Sequence, residues 1–200
     1  MITGARAQGF NRLGKDAGAL IENFKVQYDA INTLGDLLTA LIDELDGPNC
    51  LGLTRGGNHF ISETAQRQVE YDGSRVRFKG DSVKDMVQPR IETTLLEISL
   101  ENLRRVIPSS DVTTTGEKTV IRERTRIDMA DYMESLSWVR ETSDGGIIIV
   151  TLYNPLITSN VDITGVDKSE GEMAATFMGF NDDFQDMDYA PYEIVEYKVP

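Results

Sequence analysis

The residue types that could carry catalysis are scarce in this chain. His59 is its one histidine and Cys50 is its one cysteine, so a Ser-His-Asp or Cys-His arrangement would have to use one of them. The chain also lacks the GxSxG nucleophile elbow. These counts exclude a histidine-rich metal site, a cysteine zinc cluster and an intrachain disulfide. We therefore expect no catalytic residue, and we interpret His59 as a polar loop residue.

Two other segments have compositions that could hold a charged ligand. Residues 181–188 (NDDFQDMD) are acidic, but Phe184 lies where an EF-hand loop needs an oxygen ligand, and the Gly and Glu of that loop are missing. Residues 54–58 (TRGGN) lack the GxxxxGK[ST] pattern of a phosphate loop. We expect a solvated acidic loop and a tight glycine turn, with no metal, no cofactor and no enzymatic activity.

The charge of the chain is unevenly distributed. Its net charge is −13, and residues 110–200 hold 18 of the 33 acidic residues but only 7 of the 20 basic ones. This half argues against a grip on nucleic acid, because duplex binding rests on Lys and Arg that neutralise phosphates. The acidity fits either plain solubility or a surface that repels polyanions. The sequence contains no run of about 18 apolar residues, so it predicts no membrane span. Residues 1–20 lack the long apolar core of a signal peptide.

Alternation of apolar and polar residues at period two predicts a mainly β fold. Residues 64–80 predict a hairpin that turns at Asp72-Gly73, with Arg75, Arg77 and Lys79 on one face of its second strand. The run 147–153 is apolar on both faces, which is typical of a central strand. Further strands are predicted at 88–98, 119–127 (with Arg122, Arg124 and Arg126 on one face), 135–141, 160–165, 171–180 and 191–199.

Two segments have helical signals instead. Apolar residues recur at helical spacing over 30–46, and Gly47-Pro48 ends that pattern. A shorter helix is predicted over Leu100–Ile107, with Ser99 as its N-cap and Pro108 after its end. Together these elements predict a single domain, made of an N-terminal arm 1–14, the helical segment 30–46, a Gly-rich loop 47–61 and a β-sandwich or barrel over 62–199 that contains the short helix.

Four segments, in this order, resemble the major tail tube proteins of long-tailed (siphovirus-type) bacteriophages and prophages. They are 51–60 (LGLTRGGNHF), 69–73 (VEYDG), 93–103 (TTLLEISLENL) and 171–197 (GEMAATFMGFNDDFQDMDYAPYEIVEY). The resemblance implies a tail-tube type of β-sandwich or barrel with a short flanking helix. The helix over 30–46 is an addition to that pattern at the N-terminal side.

The same resemblance implies a structural role. Six copies would form a ring whose inner wall is a continuous β-barrel, and stacked rings would form a hollow tube around a tape-measure protein. Tail terminator and tail-tip proteins would be further partners. DNA would pass through without specific binding, and no membrane would be contacted. The protein would assemble in the host cytoplasm and end in the virion tail.

Two sets of side chains are candidates for contacts in such a tube. Apolar residues clustered in a loop indicate a partner, unless they pack into the chain's own core. The loop 47–61 is therefore the first stacking candidate, through Pro48, Leu51, Leu53 and Arg55. Residues 160–171 and the arm 1–14 are the second candidates. Lumen or interface charges are expected at Glu170, Glu172, Asp182, Asp183, Asp186 and Asp188, and we expect acids to dominate the lumen over the stripe Arg75, Arg77 and Lys79.

Other protein classes remain alternatives at this point. One is the tube protein of a contractile tail or a related tail ring component, which would share the fold class and differ in its partners. Another is a non-enzymatic β-sandwich binding module, which would need aromatic residues gathered on one face. An acidic hydrolase is a weaker alternative, because no constellation of carboxylates for acid–base chemistry can be chosen from the sequence.

Overall fold

The structure is a computed structural model that describes residues 18–73, 76–164, 171–182 and 188–199. It is mainly β, as the alternation predicts. Its strands are β1 (Ala19–Glu22), β2 (His59–Gln68), β3 (Ser82–Leu95), β4 (Ser110–Thr115), β5 (Lys118–Glu123), β6 (Ser135–Glu141), β7 (Ile147–Tyr153), β8 (Leu156–Ile157), β9 (Asp162–Thr164), β10 (Glu172–Met178) and β11 (Tyr192–Tyr197). Its helices are α1 (Lys25–Tyr28), α2 (Leu34–Leu45) and α3 (Leu100–Val106), with a single 3-10 turn at Met129–Asp131.

Two antiparallel sheets enclose the main core. The four-stranded sheet has the order β1-β6-β7-β11, and the five-stranded sheet has the order β2-β3-β10-β8, with β9 also paired to β10. Trp138 and Leu152 from the first sheet and Ile91, Leu95 and Phe177 from the second belong to one buried cluster. Because successive side chains of a strand point to opposite faces, this cluster uses one face of each sheet.

The helices cover the second face of the four-stranded sheet. Leu37, Leu41 and Leu45 of α2 are buried and pack in a second cluster with Val139 and Ile149 of β6 and β7. Thr33 caps α2 by accepting a hydrogen bond from the backbone N–H of Asp36. The four-stranded sheet is therefore buried on both faces, whereas no described element covers the outer face of the five-stranded sheet.

The segment between α2 and β2 crosses from one sheet to the other. The backbone N–H of Glu22 donates to the carbonyl of Asn49 at 2.9 Å, and Thr54 forms an isolated bridge with Leu95 of β3. Asn102 of α3, which is 2% exposed, donates to the carbonyl of Leu51 at 2.9 Å. These bonds fix the crossing segment against β1, β3 and α3.

Several predicted elements are confirmed. β6 and β7 have the predicted bounds, and β7 is a central strand, paired to β6 on one side and β11 on the other. The helix predicted over 30–46 is α2, and the short helix after Ser99 is α3, which ends one residue earlier than predicted. Four of the remaining strands lie at least partly within their predicted ranges, namely β3, β9, β10 and β11.

The hairpin prediction over 64–80 has the wrong register. β2 pairs with β3 through Gln68 opposite Ser82, so the connection runs from Val69 to Asp81. Within it, residues 76–79 form no strand, and Arg75 lies outside the described residues. The alternating run fails as a strand because no partner buries it: Val76 and Phe78 are 65% and 59% exposed.

Three further corrections concern element boundaries. The Gly-rich loop predicted over 47–61 ends before His59, where β2 begins. The strand predicted over 119–127 is β5, which ends at Glu123, so Arg122, Arg124 and Arg126 share no strand face; Arg124 instead donates to Asp128 and Asp131. No strand was predicted where β1, β4 and β8 lie.

Candidate functional site

His59 has the exposure of a surface residue. Its side chain is 71% exposed at the start of β2, with Nδ1 3.9 Å from a carboxylate oxygen of Glu92. A hydrogen bond to a general base needs a distance of at most about 3.2 Å. The distance to Glu92 exceeds this limit, so the two residues do not form a hydrogen-bonded pair of the catalytic kind. In the described part of the chain, no group of three or more His, Cys, Asp or Glu side chains is placed to hold a metal ion.

The groove between α3, the base of the β4–β5 ribbon and β8 is the first place where a small ligand could be sought. It has a volume of about 390 Å³. Two of the three arginines that line it are neutralised within the chain: Arg105 donates to Glu22 at 2.7 Å, and Arg124 donates to Asp128 at 2.7 Å. Ion pairs of this kind fix the base of the ribbon, and they leave these guanidinium groups committed to carboxylates.

The residues predicted for ring stacking differ in their burial. Leu51 is fully buried in the main core, so its prediction as a surface contact is wrong, and the alternative that it tucks into the chain's own core is confirmed. Pro48 is exposed and Leu53 is 46% exposed. Gly56 and Gly57 have φ values of +76° and +84°, as the predicted tight glycine turn requires.

The predicted lumen charges are only partly within the described chain. Asp182 and Asp188 are exposed, whereas Glu170, Asp183 and Asp186 lie outside the described residues. Glu172 of β10 forms an ion pair with Arg55. The structure thus brings together two residues that the sequence assigned to different roles, and their pair ties the glycine turn to the outer face of the five-stranded sheet.

The outer face of the five-stranded sheet carries mostly polar side chains. Residues directly opposite each other on neighbouring antiparallel strands point to the same side of the sheet. One row across β2, β3 and β10 is therefore His59, Glu92 and Thr176, and the next is Ile61, Arg90 and Met178. Arg90 donates to Glu63 at 2.6 Å and to Glu92 at 3.0 Å. The arginine of this face and Arg55 beside it are both paired with carboxylates, so their charges are offset on the surface.

The distal part of the β2–β3 hairpin, described over residues 65–73 and 76–86, extends away from the core and is called the arm below. Nearly all of its described residues are exposed. A groove of about 600 Å³ lies at its distal end between Val69, Tyr71, Val76 and Arg77. Five large apolar residues of the arm are 37–65% exposed, namely Tyr71, Val76, Phe78, Val83 and Met86. A cluster of this kind on one projecting element is typical of a surface that meets a partner.

Sequence reasoning missed a polar cluster beneath α1. The hydroxyl of Tyr28 lies 2.7 Å from that of buried Thr151 and donates to Glu193, and Lys25 donates to Glu193 at 2.8 Å. Burial opposes ionisation of Glu193, but hydrogen bonds from Lys25, Tyr28 and Tyr153 outweigh it and hold the pKa of this carboxyl below its ordinary value. The cluster attaches α1 to β7 and β11.

Burial also raises the pKa values of the tyrosines in this cluster. The pKa of Tyr153 is raised to about 12 by burial and by its hydrogen bond to Glu193. The pKa of Tyr28 is raised further for the same two reasons. Both phenols are therefore protonated donors at neutral pH, which is the state that stabilises the Glu193 carboxylate. No sequence pattern could show this, since Tyr28 and Glu193 are 165 positions apart.

Replacing Glu193 with glutamine is expected to lower the free energy of unfolding by about 1 kcal/mol at neutral pH. The depressed pKa means that the carboxylate's contribution is present above its unfolded-state pKa, about 4.3, and is lost as pH falls through the lower folded-state value. The difference between wild type and variant should therefore hold down to about pH 5 and shrink below about pH 4. Urea unfolding across that range measures it.

Glu196→Gln is the matched control for this prediction. Glu196 lies on the same strand, and its pair with Lys198 at 3.3 Å is exposed, with side chains 45% and 74% accessible. We expect a change below about 0.5 kcal/mol. Equal losses in the two variants, or a loss at Glu193 that does not vary with pH, would contradict the stabilising role of the cluster.

Among the described helices, none has both the length and the apolar character needed to cross a membrane. No protein-family model matches the sequence, and no curated protein matches it.

Proposed function

We propose that this chain is a structural subunit whose hexameric rings stack into the hollow tail tube of a phage-type particle. The observation that supports this most is the unequal covering of the two sheets. The four-stranded sheet is buried on both faces, whereas the five-stranded sheet has an open polar face made by residues such as Arg90, Glu92 and Thr176. A lumen wall needs a hydrated sheet face of this kind.

Charge on that face favours passage over binding. A duplex is held by cations that neutralise its phosphates, and the arginines here are paired with Glu63, Glu92 and Glu172. In the proposed tube, Asp182 and Asp188 add negative charge toward the lumen or the subunit interface, and Glu172 offsets the charge of Arg55. DNA then passes without specific binding. A charge map of an assembled ring with a basic lumen would count against this part of the proposal.

The arm supports the stacking part of the proposal. Its exposed Tyr71, Val76 and Phe78 need a partner surface, and a ring above or below supplies one. Pro48, Leu53 and Arg55 in the crossing segment are further candidates for this contact. The same proposal places the protein in the virion tail after assembly in the host cytoplasm, around a tape-measure protein and between terminator and tail-tip proteins.

Electron microscopy and light scattering at rising protein concentration test the proposal. Rings or hollow tubes of uniform diameter are the expected result. If the purified chain stays monomeric, it is co-expressed with a tape-measure protein, which would supply the nucleus for assembly. A chain that forms neither rings nor tubes even then would overturn the proposal.

A second candidate is a non-enzymatic β-sandwich binding module, and the arm is the observation that favours it. Tyr71 and Phe78 are 54% and 59% exposed near the distal groove, and aromatic residues on one projecting element can bind a ligand directly. Loss of ligand binding, with no loss of assembly, in a Tyr71→Ser variant would favour this candidate.

A contractile-tail tube protein would differ from the first proposal in its outer contacts.

A further inference from the structure

The C-terminal end of α2 carries charges of the unfavourable sign. Asp43 and Glu44 lie in its last turn, Asp46 is its C-cap, and that turn contains no basic residue. The carbonyl groups at a helix C-terminus carry partial negative charge, so a cation there stabilises the helix and an acid destabilises it. These three residues are called the acidic end below. They lower the stability of α2 unless a positively charged group lies against them.

Among the described residues, none supplies that positive charge. Asp43 and Asp46 are exposed, and neither forms an ion pair with a described residue. Glu44 accepts hydrogen bonds from the neutral side chains of Gln27 and Asn49. The described chain therefore leaves all three carboxylates of the acidic end without a cation.

Apolar side chains lie near the acidic end. Leu38 and Ile42 are one turn apart on the same face of α2, and both remain partly exposed. α1 lies next to α2, because Gln27 donates to Glu44, and Val26 of α1 is 72% exposed. A segment that combines basic with apolar residues therefore fits this surface better than a purely charged one.

We propose that residues 1–17 of the same chain bind the acidic end of α2. These residues lie outside the described part of the chain. Their charged residues are three cations and one acid, namely Arg6, Arg12, Lys15 and Asp16. Phe10 and Leu13 lie between the cations in sequence and supply apolar side chains to cover those of α1 and α2. The inference concerns the free subunit and is independent of the tail-tube proposal.

The described chain begins close to this surface. Leu51 donates its N–H to Leu20, and Glu22 donates its N–H to Asn49, both at 2.9 Å, so the residues that follow α2 run along β1. Ala19 belongs to the same buried cluster as the leucines of α2. Seventeen extended residues span up to about 56 Å, and the 12-residue helix α2 is about 18 Å long. The segment is therefore long enough to reach the acidic end from β1.

The arm of a second copy is the competing occupant, and charge favours residues 1–17 over it. Residues 26–54, which include both helices of this layer, contain five acidic residues and no Lys, Arg or His. Residues 1–17 have three basic residues and one acidic residue, a balance of +2, whereas residues 65–86 have five and four, a balance of +1. A segment of the same chain is also present at an effective concentration of about a millimolar, which a second copy in dilute solution does not reach.

A carbodiimide that joins amines to carboxylates identifies the occupant. In the full chain at low concentration, mass spectrometry should find Lys15 joined to a carboxylate of the acidic end. An equal mixture of ¹⁴N-labelled and ¹⁵N-labelled chains shows whether the two joined residues belong to one chain, and we expect only cross-links between like isotopes. Lys198 and Glu196, which lie 3.3 Å apart, confirm that the reagent has worked.

Three outcomes of this experiment would overturn the proposal. The first is that Lys15 forms no cross-link to the acidic end. The second is that its cross-links join unlike isotopes, because the segment would then bind a second copy. The third is that Lys79 or Lys84 of the arm replaces Lys15 in these cross-links, because the arm would then be the occupant.

Trypsin cleavage after Arg12 tests the role of the charges in the full chain. If cleavage requires the segment to leave the surface, its rate follows the unbound fraction. The double variant Asp43→Asn, Asp46→Asn should be cleaved about fivefold faster than wild type, since it loses two ion pairs with the segment. It should fold at least as stably as wild type, because both acids oppose the dipole of α2.

Glu117→Gln with Glu123→Gln is the matched control. These two exposed acids of the β4–β5 ribbon change the net charge by the same amount, and this variant should be cleaved at the wild-type rate. Equal rates in the two double variants would mean that the acidic end does not bind the segment, and they would overturn the proposal.

Discussion

A chain whose arm is shortened should fold normally and lose its ability to assemble. Gln68 and Ser82 lie opposite each other at the end of the paired strands, so residues 69–81 can be replaced by Asn-Gly, a favoured two-residue hairpin turn. The replacement removes Tyr71, Val76 and Phe78. These three side chains are 54–65% exposed, so burying the exposed part of them at a contact contributes about 3–5 kcal/mol, which is roughly a hundredfold to a thousandfold in the association constant.

Light scattering across a concentration series measures this effect, and urea unfolding checks that the shortened chain still folds cooperatively. Met129→Ser is the control, because Met129 is the most exposed large apolar residue outside the arm among the residues that the structure describes, at 76%, and its replacement should leave association unchanged. A second variant, Phe78→Ser, keeps the arm's length and removes one contact. If the shortened chain assembles at the same concentration as the wild type, the arm is not part of the stacking contact.

The sequence predicts best where local pattern and tertiary burial agree. The strands β6 and β7 were predicted with their observed bounds because Asp144-Gly145-Gly146 turns between them and Ile147 to Tyr153 is apolar on both faces, as a central strand must be. Helix α2 was predictable for a related reason, because its leucines recur at helical spacing and Gly47-Pro48 follows its end.

Prediction fails where a local pattern competes with longer pairing. The run Arg75 to Lys79 alternates as a strand should, yet the partner of β2 is β3, a 14-residue strand that continues into the core through Ile91 and Leu95. Burial of those side chains stabilises the observed register, and Val76 and Phe78 remain on the exposed arm. Alternation alone cannot report which of two possible partners buries more apolar surface.

The candidate surfaces were less predictable than the fold. Leu51 was expected to be a contact residue because it lies in a Gly-rich loop, but the loop crosses between the sheets and Leu51 packs in the core between them. The pairing of Arg55 with Glu172 joins positions 117 apart. The open outer face of the five-stranded sheet depends on strand order, which hydrophobic periodicity does not determine.

Phe177→Ala should have the largest effect on the stability of the subunit. Phe177 is fully buried between the sheets, in a row with Phe60, Ile91 and Ile157 across the five-stranded sheet. Truncating a buried phenylalanine removes its transfer energy and leaves a cavity, which together cost about 3–5 kcal/mol. That is a large part of the roughly 5–15 kcal/mol that stabilises a domain. Urea unfolding should show a lower midpoint with an unchanged slope.

Thr176→Ala is the matched control, since Thr176 is the preceding residue of β10 and its side chain lies on the opposite, outer face. We expect a change of at most about 0.5 kcal/mol there. Equal losses at the two positions would contradict the assignment of one core face and one open face to this sheet. Below its lowered unfolding temperature, the Phe177→Ala subunit keeps the outer face and the arm. It should therefore assemble at the wild-type concentration, which separates the residues that fold the subunit from those that join it to its neighbours.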